Sequence, residues 1–158
     1  MPHSDPTITL LEDLVAIDSV NPSLVSGAPG EAEIARRVAA ECTTAGLAVS
    51  VDQIAPGRPN VVAVCDGHQP GPTLMFCGHL DTVGVAGMDQ QFRPVQREGR
   101  LYGRGAQDMK GGVAAMIGAA RQIVEQNICT RGRLIVAAVV DAEHASIGAA
   151  ALADGWRA

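Results

Sequence analysis

Residues 134–140 read LIVAAVV, and this run ends on the carboxylates Asp141 and Glu143. A continuous apolar run of this length predicts a strand that is buried on both faces, which is typical of a parallel sheet. Carboxylates that follow such a strand lie where α/β sheets carry their active sites, beyond the carboxyl ends of the strands. Asp141 or Ser146 could instead cap the helix that is predicted over 146–154.

Helical and strand patterns alternate along the rest of the chain. Pro6 stands at a first helical position, and its helix should end before Asn21, which precedes a proline. The alternation predicts an α/β protein, a three-layer sandwich with a mostly parallel central sheet. The other predicted segments are helices over 31–45 and 111–126, strands over 47–51, 61–64 and 73–77, and an irregular stretch over 82–105.

The composition excludes several classes of protein. Of the 158 residues, 12 are lysine or arginine and 17 are aspartate or glutamate, so the formal net charge is −5. With 47% hydrophobic and 18% charged residues, the chain is too apolar to be disordered, and its length supports one domain at most. An acidic balance argues against nucleic acid and against an anionic membrane surface as partners.

The four cysteines indicate the cellular compartment. They show no Cys-x-x-Cys spacing and are too few for a disulfide-rich domain, so we expect reduced thiols. Cys77 lies in an apolar run and is expected to be a small core residue. The chain starts with no signal-peptide pattern and has no apolar run that could span a membrane, so we expect a cytoplasmic protein.

Two further segments carry residues that bind metals. His79 and Asp81 are two residues apart and can point the same way from a strand end, so Asp81 could hold one nitrogen of the imidazole. The glycine-rich stretch 101–112 places Asp108 just before a helix. Taken singly, these are equally an ordinary turn histidine and a solvated loop aspartate. Together with the carboxylates after residue 140, they favour zinc, cobalt or manganese held by histidine and carboxylate.

The complete pattern resembles one family of di-zinc hydrolases, which includes acetylornithine deacetylase, succinyl-diaminopimelate desuccinylase, aminoacylase and glutamate carboxypeptidase. The resemblance implies that His79 binds one metal, that Asp108 bridges two metals and that Glu143 binds the second. It implies that Asp81 is catalytic in orienting His79, and that the Asp108–Met109 peptide is cis. The resemblance rests on GHLDT at 78–82, LYGRGAQDMKGG at 101–112 and DAEHASIG at 141–148. It also includes SVNP at 19–22, after the first helix, and the strand entry GRPNVV at 57–62.

The chain departs from the family at two points. The family's third motif is Asp-Glu-Glu, and its first glutamate is the general base, whereas this chain has Ala142 there. Family members also continue with another acidic ligand, a final histidine ligand, more of the sheet and a lid or dimerisation domain. We therefore expect residues 1–158 to be the amino-terminal part of the catalytic domain, with a sheet incomplete at the carboxyl end and no lid domain.

These departures shape the expected function. The resemblance implies a zinc-dependent hydrolase of amide bonds in small N-acylated amino acids or peptides, in a truncated form that is inactive alone. Zinc should be bound weakly or not at all, because each metal lacks its third protein ligand. The alternatives are a non-catalytic interaction module that associates through an unfinished sheet edge, and one half of a split enzyme. Arg104 and Lys110 could approach an acidic substrate or be solvated loop charges.

Overall fold

The computed structural model of the protein describes residues 5–129 and 131–155. The helices of these residues are α1 (Pro6–Ala16), α2 (Ala32–Thr44), α3 (Gly111–Glu125) and α4 (Ile147–Gly155). The strands are β1 (Ala48–Ala55), β2 (Arg58–Asp66), β3 (Gln69–His79), β4 (Val95–Arg97), β5 (Arg100–Tyr102) and β6 (Arg131–Val139).

The central sheet has the strand order β1-β2-β6-β3. The α/β class with flanking helices is confirmed, but the prediction of a mostly parallel sheet is wrong, because only β3 and β6 are parallel. β1 and β2 are antiparallel since the short turn at residues 56–57 joins them as a hairpin, and β2 is also antiparallel to β6. A parallel pair needs a long crossover, and α3 supplies one between β3 and β6.

Small aliphatic side chains form the core on one face of the sheet. Alternate residues of β2 and β6 pack there with α2 and α3, and α1 packs against α3. Asn60 of β2 points to the opposite face, where its amide donates to the carbonyl of Gly148 at 2.9 Å. This bond places the start of α4 on that second face, so helices flank the sheet on both sides.

β3 differs from the buried strand that the sequence predicted. It is an outer strand of the described sheet, and Leu74 is 54% exposed. Cys77 is exposed as well, so its prediction as a core residue is wrong. An apolar run shows that a strand is suited to burial, but the neighbouring elements decide which of its faces is covered.

Residues 82–105 are more ordered than the sequence predicted. Val95 pairs with Tyr102 and Arg97 with Arg100, so β4 and β5 form a small antiparallel hairpin. Among the described residues, no helix is long and apolar enough to cross a membrane.

Candidate metal centre

The chain brings together the three ligands that the resemblance implies. His79 ends β3, Asp108 lies in the turn Ala106–Lys110 before α3, and Glu143 follows β6. Because β3 and β6 run parallel with His79 opposite Val139, both strands deliver their carboxyl ends to one edge of the sheet. One ligand atom from each of the three side chains lies within 4.8 Å of the others.

The imidazole of His79 is oriented for binding a cation through Nε2. Its Nδ1 lies 3.0 Å from the backbone carbonyl of Asp81, which can only accept, so Nδ1 carries a proton. Nε2 lies 3.1 Å from Oδ1 of Asp108. Bonding to Asp81 and to Asp108 outweighs the opposing effect of burial and raises the pKa of His79 to about 9. Nε2 is therefore the imidazole nitrogen that faces the exposed carboxylate of Asp108.

Asp108 presents its carboxylate to solvent. Its side chain is 75% exposed, and it follows Gly105, whose φ of 77° is in the left-handed region. A Cβ at Gly105 would lie 2.7 Å from Cγ2 of Thr82, so this close turn requires glycine. The Asp108–Met109 peptide is cis, as the resemblance implies. The exposed carboxylate keeps lone pairs free on both oxygens for cations.

Asp81 is buried and contacts both His79 and the backbone that carries Glu143. Its Oδ1 accepts the amide of Ala142 and its Oδ2 accepts the amide of Glu143, each at 3.0 Å. Oδ1 also lies 3.4 Å from Nδ1 of His79. Burial alone would raise the pKa of Asp81, but the hydrogen bonds from His79, Glu143, Asn21 and Ala142 lower it to about 2. Asp81 is therefore a charged carboxylate that fixes the position of two neighbouring ligands.

The three ligand residues fit a metal ion. Two ligands at about 2.0–2.2 Å from a tetrahedral zinc lie about 3.3 Å apart, and the 3.1 Å between His79 and Asp108 is close to that value. One nitrogen and two carboxylates suit zinc, cobalt or manganese. Burial raises the pKa of Glu143, while the charge of His79 opposes this and the charge of Asp108 adds to it. A cation between these carboxylates would remove their mutual repulsion.

The position after Asp141 carries a methyl group. Ala142 donates its amide to Asp81 and has no side-chain atom that could accept a proton. Asp141 is buried, and its carboxylate accepts the amide of Ala145 at 3.1 Å. His144 is half exposed, and its Nδ1 lies 3.9 Å from Asp141. Neither residue belongs to the ligand group.

A buried polar cluster behind the ligands was not predicted. Arg58 donates to both oxygens of Glu31, at 2.9 and 2.5 Å, and lies 2.9 Å from Oδ1 of Asp141. Glu31 also accepts the amide of Asp141 at 3.2 Å. Asn21 joins Asp141 to Asp81. These residues come from loops and a strand start with no periodic pattern. The resemblance covers the stretches SVNP and GRPNVV that contain Asn21 and Arg58, but it assigned no role to either residue.

The two basic candidates have different surroundings. Lys110 is 1% exposed and its Nζ donates to the carbonyl of Ile17 at 2.7 Å, so it is neither a solvated charge nor a substrate contact. Burial lowers the pKa of Lys110 to about 8, with Asp18 partly opposing. Arg104 is half-buried, and its guanidinium lies 2.9 Å from the sulfur of Met88.

The fold and the site together define an α/β protein with a candidate metal centre. In this protein, a mixed sheet brings one histidine and two carboxylates together. The chain belongs to Peptidase family M20/M25/M40, whose sequence profile matches residues 75–158. It is 38% identical to a succinyl-diaminopimelate desuccinylase of Gluconacetobacter diazotrophicus over 150 residues. That alignment covers 90% of this chain and 36% of the relative.

Solved structures have the same fold. Human carnosine dipeptidase 1 matches with a TM-score of 0.75 at 24% identity, over 97% of this chain and 35% of that protein. A Bacillus subtilis protein described as a dinuclear metal binding peptidase from the M20 family matches with a TM-score of 0.57 at 14% identity. That match covers 83% of this chain and 33% of the other. The chain thus spans about a third of the length of these relatives.

Proposed function

We propose that the chain carries part of the zinc site of an amide-bond hydrolase. His79, Asp108 and Glu143 would hold metal, with Asp108 shared between two ions, and Asp81 would orient His79. The observation that carries this proposal is the convergence of the three ligand atoms within 4.8 Å. When bound, zinc would polarise the scissile carbonyl and lower the pKa of a water molecule.

The residues of this chain would bind and orient, but they would not move the proton. Asp81 fixes the tautomer of His79, so that Nε2 faces the cation, and it fixes the backbone from which Glu143 extends. At Ala142 there is no group to accept a proton from the attacking water, and loss of a general base costs about 10²–10⁴ in rate. We therefore propose that the chain by itself has no appreciable hydrolytic activity.

We propose further that residues 1–158 correspond to the amino-terminal part of the catalytic domain of this family. The proposal is supported by the fold of β1–β6 with its flanking helices and by the third of the length that the chain shares with its relatives. The substrates we propose are small N-acylated amino acids or peptides, as the names of the relatives suggest. Four free cysteines favour the cytoplasm, where thiols stay reduced.

Zinc binding tests the proposed site. We expect the purified chain to bind zinc with micromolar or weaker affinity in competition with a chromophoric chelator, because its ligand set is incomplete. His79→Ala should abolish this binding, whereas His144→Ala should preserve it, since His144 lies outside the ligand group. Equal binding by His79→Ala and the unchanged chain would show that the site is wrong, and tight stoichiometric zinc would contradict incomplete coordination.

The general-base assignment needs a separate test. In a protein joined to the remaining segment of a family member, Ala142→Glu should raise amide hydrolysis by about 10²–10⁴. Hydrolysis of N-succinyl or N-acetyl amino acids, followed by release of the free amine, measures this. Full activity with Ala142 in place would show that another group is the base.

A second function is favoured by the outer strand β3. Leu74 and Cys77 are exposed beside an edge that can pair with another chain. We expect concentration-dependent association in light scattering if this edge acts as an interaction surface, and Leu74→Lys should weaken it. A monomer at all concentrations, unchanged by the substitution, would exclude this self-association.

A further inference from the structure

Asn21 occupies a buried position between the two halves of the candidate metal centre. The residue is 0% exposed and lies in the segment between α1 and α2. Its backbone is fixed to the residues that follow β3: the amide of Asn21 donates to the carbonyl of Thr82 at 2.9 Å, and the amide of Thr82 donates to Ser19 at 3.0 Å. The side chain of Asn21 therefore has a fixed origin next to Asp81.

The orientation of the Asn21 amide group follows from its partners. Its Oδ1 accepts the backbone amide of Ser23 at 2.8 Å. Its Nδ2 then donates to Oδ2 of Asp81 at 2.7 Å and to Oδ1 of Asp141 at 3.0 Å. The reverse orientation would place an oxygen against two carboxylates. Both hydrogens of one NH₂ group are thus used to join two buried acids.

These two acids hold the segment that carries Glu143. Asp81 accepts the amides of Ala142 and Glu143, and Asp141 accepts the amide of Ala145. Without a donor between them, the two carboxylates would repel each other at short range in surroundings of low polarity. Arg58 contacts Asp141 from another side, but the structure shows no bond from Arg58 to Asp81 among the described residues.

We propose that Asn21 is a positioning residue of this centre, which fixes the distance between Asp81 and Asp141 and thereby places the backbone of Glu143 relative to His79. Asn21 acts before any metal binds, because its bonds are formed within the chain alone. The inference rests on the proposed function for its effect on zinc, but its effect on the backbone is independent of zinc. Partners that orient metal ligands typically change metal affinity by about 10–100-fold when they are removed.

The experiment compares Asn21→Leu with Asn60→Leu. Asn60 is a matched control because it is also an asparagine, is 2% exposed and binds the same segment, through the amide of Val140 at 3.1 Å and the carbonyl of Gly148. It makes no bond to Asp81 or Asp141 among the described residues. Both variants remove one buried amide group of the same size.

Amide hydrogen exchange of the zinc-free chain, resolved by NMR, is the first measurement. In Asn21→Leu, we expect the amides of Ala142 and Glu143 to exchange at least about tenfold faster than in Asn60→Leu, because their acceptor Asp81 is displaced. In Asn60→Leu, the amide of Val140 should be the one that loses protection. Equal protection of residues 142 and 143 in both variants would overturn the inference.

Zinc affinity is the second measurement. Asn21→Leu should bind zinc about 10–100-fold more weakly than Asn60→Leu. If the unchanged chain binds no zinc, the proposed function fails, while the exchange of residues 142 and 143 still decides whether Asn21 positions the segment. If the chain binds zinc and the two variants bind it equally, Asn21 does not position the ligands.

Two further variants keep the test decisive. Asn21→Ser retains at most one of the two bonds and is smaller, so it replaces Asn21→Leu if that variant does not fold, with the same expected loss of protection. Adding Asp141→Asn to Asn21→Leu removes the repulsion between the two acids and should restore part of the protection at Ala142 and Glu143. Absence of this rescue in a folded double variant would contradict the role of charge separation.

Discussion

Asp81 and Asp108 both contact the imidazole of His79, but their surroundings are opposite. Asp81 is buried and accepts hydrogen bonds from two backbone amides and from Asn21, whereas the side chain of Asp108 is 75% exposed. A carboxylate that is satisfied by fixed donors serves to orient its neighbours, and one with free lone pairs can bind a cation. The difference teaches that the buried side of this centre, around Asp81, is held by the fold, while the exposed side, around Asp108, is open for a ligand.

Removal of each carboxylate gives the largest expected contrast. Asp81→Ala leaves the amides of Ala142 and Glu143 and the Asn21 side chain without their acceptor, and we expect a loss of about 3–5 kcal/mol in the free energy of unfolding. Asp108→Ala should change it by less than about 0.5 kcal/mol, because the group is exposed. Urea unfolding of the zinc-free chain, followed by circular dichroism, measures both. Similar losses in the two variants would contradict the contrast.

The charge pair behind the centre should show a comparable but smaller effect. Arg58→Met leaves Glu31 and Asp141 buried without their guanidinium, and we expect a loss of about 3 kcal/mol. The control is Arg133→Met, because Arg133 and Asp66 are both exposed and form a pair at 2.6 Å. Loss of that surface pair should cost less than about 1 kcal/mol in the same urea experiment. A loss below that of the control would mean that the buried cluster does not stabilise the fold.

The free energy of unfolding should depend on pH in the acid range because of the buried carboxylate of Asp81. The pKa of Asp81 is about 2 in the folded chain, below its ordinary value of 3.8, so the folded state binds this proton less readily than the unfolded state. The stability that Asp81 supplies is present above pH 4 and is lost as the pH falls towards 2, by about 2 kcal/mol.

Unfolding midpoints of the zinc-free chain between pH 5 and 2 measure this dependence. Asp81→Asn should flatten the acid dependence of stability. A steep dependence that persists in Asp81→Asn would assign the effect to other acids.

Two cysteines give the smallest expected difference between a buried and an exposed position. Cys42 is fully buried, and burial raises the pKa of its thiol to about 11, whereas Cys77 is exposed on β3. Cys42→Ser should cost about 1–2 kcal/mol, because it buries a hydroxyl, and Cys77→Ser less than about 0.5 kcal/mol. In the native chain, Cys77 should also be alkylated faster than Cys42. Faster labelling of Cys42 would contradict the packing of α2.

The three candidate ligand residues could be proposed from the sequence because their signals are local. His79 and Asp81 are two residues apart, Asp108 stands among glycines before a helix, and Glu143 follows an apolar strand. Each pattern indicates both the type of the residue and its place at the end of a strand or the start of a helix. The proximity of His79 and Glu143 then follows from a sheet that aligns the carboxyl ends of β3 and β6.

Other features depended on contacts between distant parts of the chain. The apolar pattern of residues 73–77 does not show that β3 is an outer strand with Leu74 and Cys77 exposed. Lys110 next to a glycine-rich turn suggests a solvated charge, yet the end of α1 provides the carbonyl of Ile17 that lets it be buried. In both cases, burial or exposure is decided by the presence or absence of elements that lie far away in sequence.

The sequence by itself determined the α/β class and the alternation of helices and strands, because periodicity acts over a few residues. Its short motifs, through the family resemblance, also pointed to three candidate ligands. Only the tertiary structure decided the mixed strand directions, the faces that are covered and the cluster that joins Asn21, Asp81 and Asp141. Asn21 is 60 residues from Asp81 and 120 from Asp141. Hydrogen bonds over such separations arise from the packing of the sheet and its loops, which brings together residues that are distant in sequence.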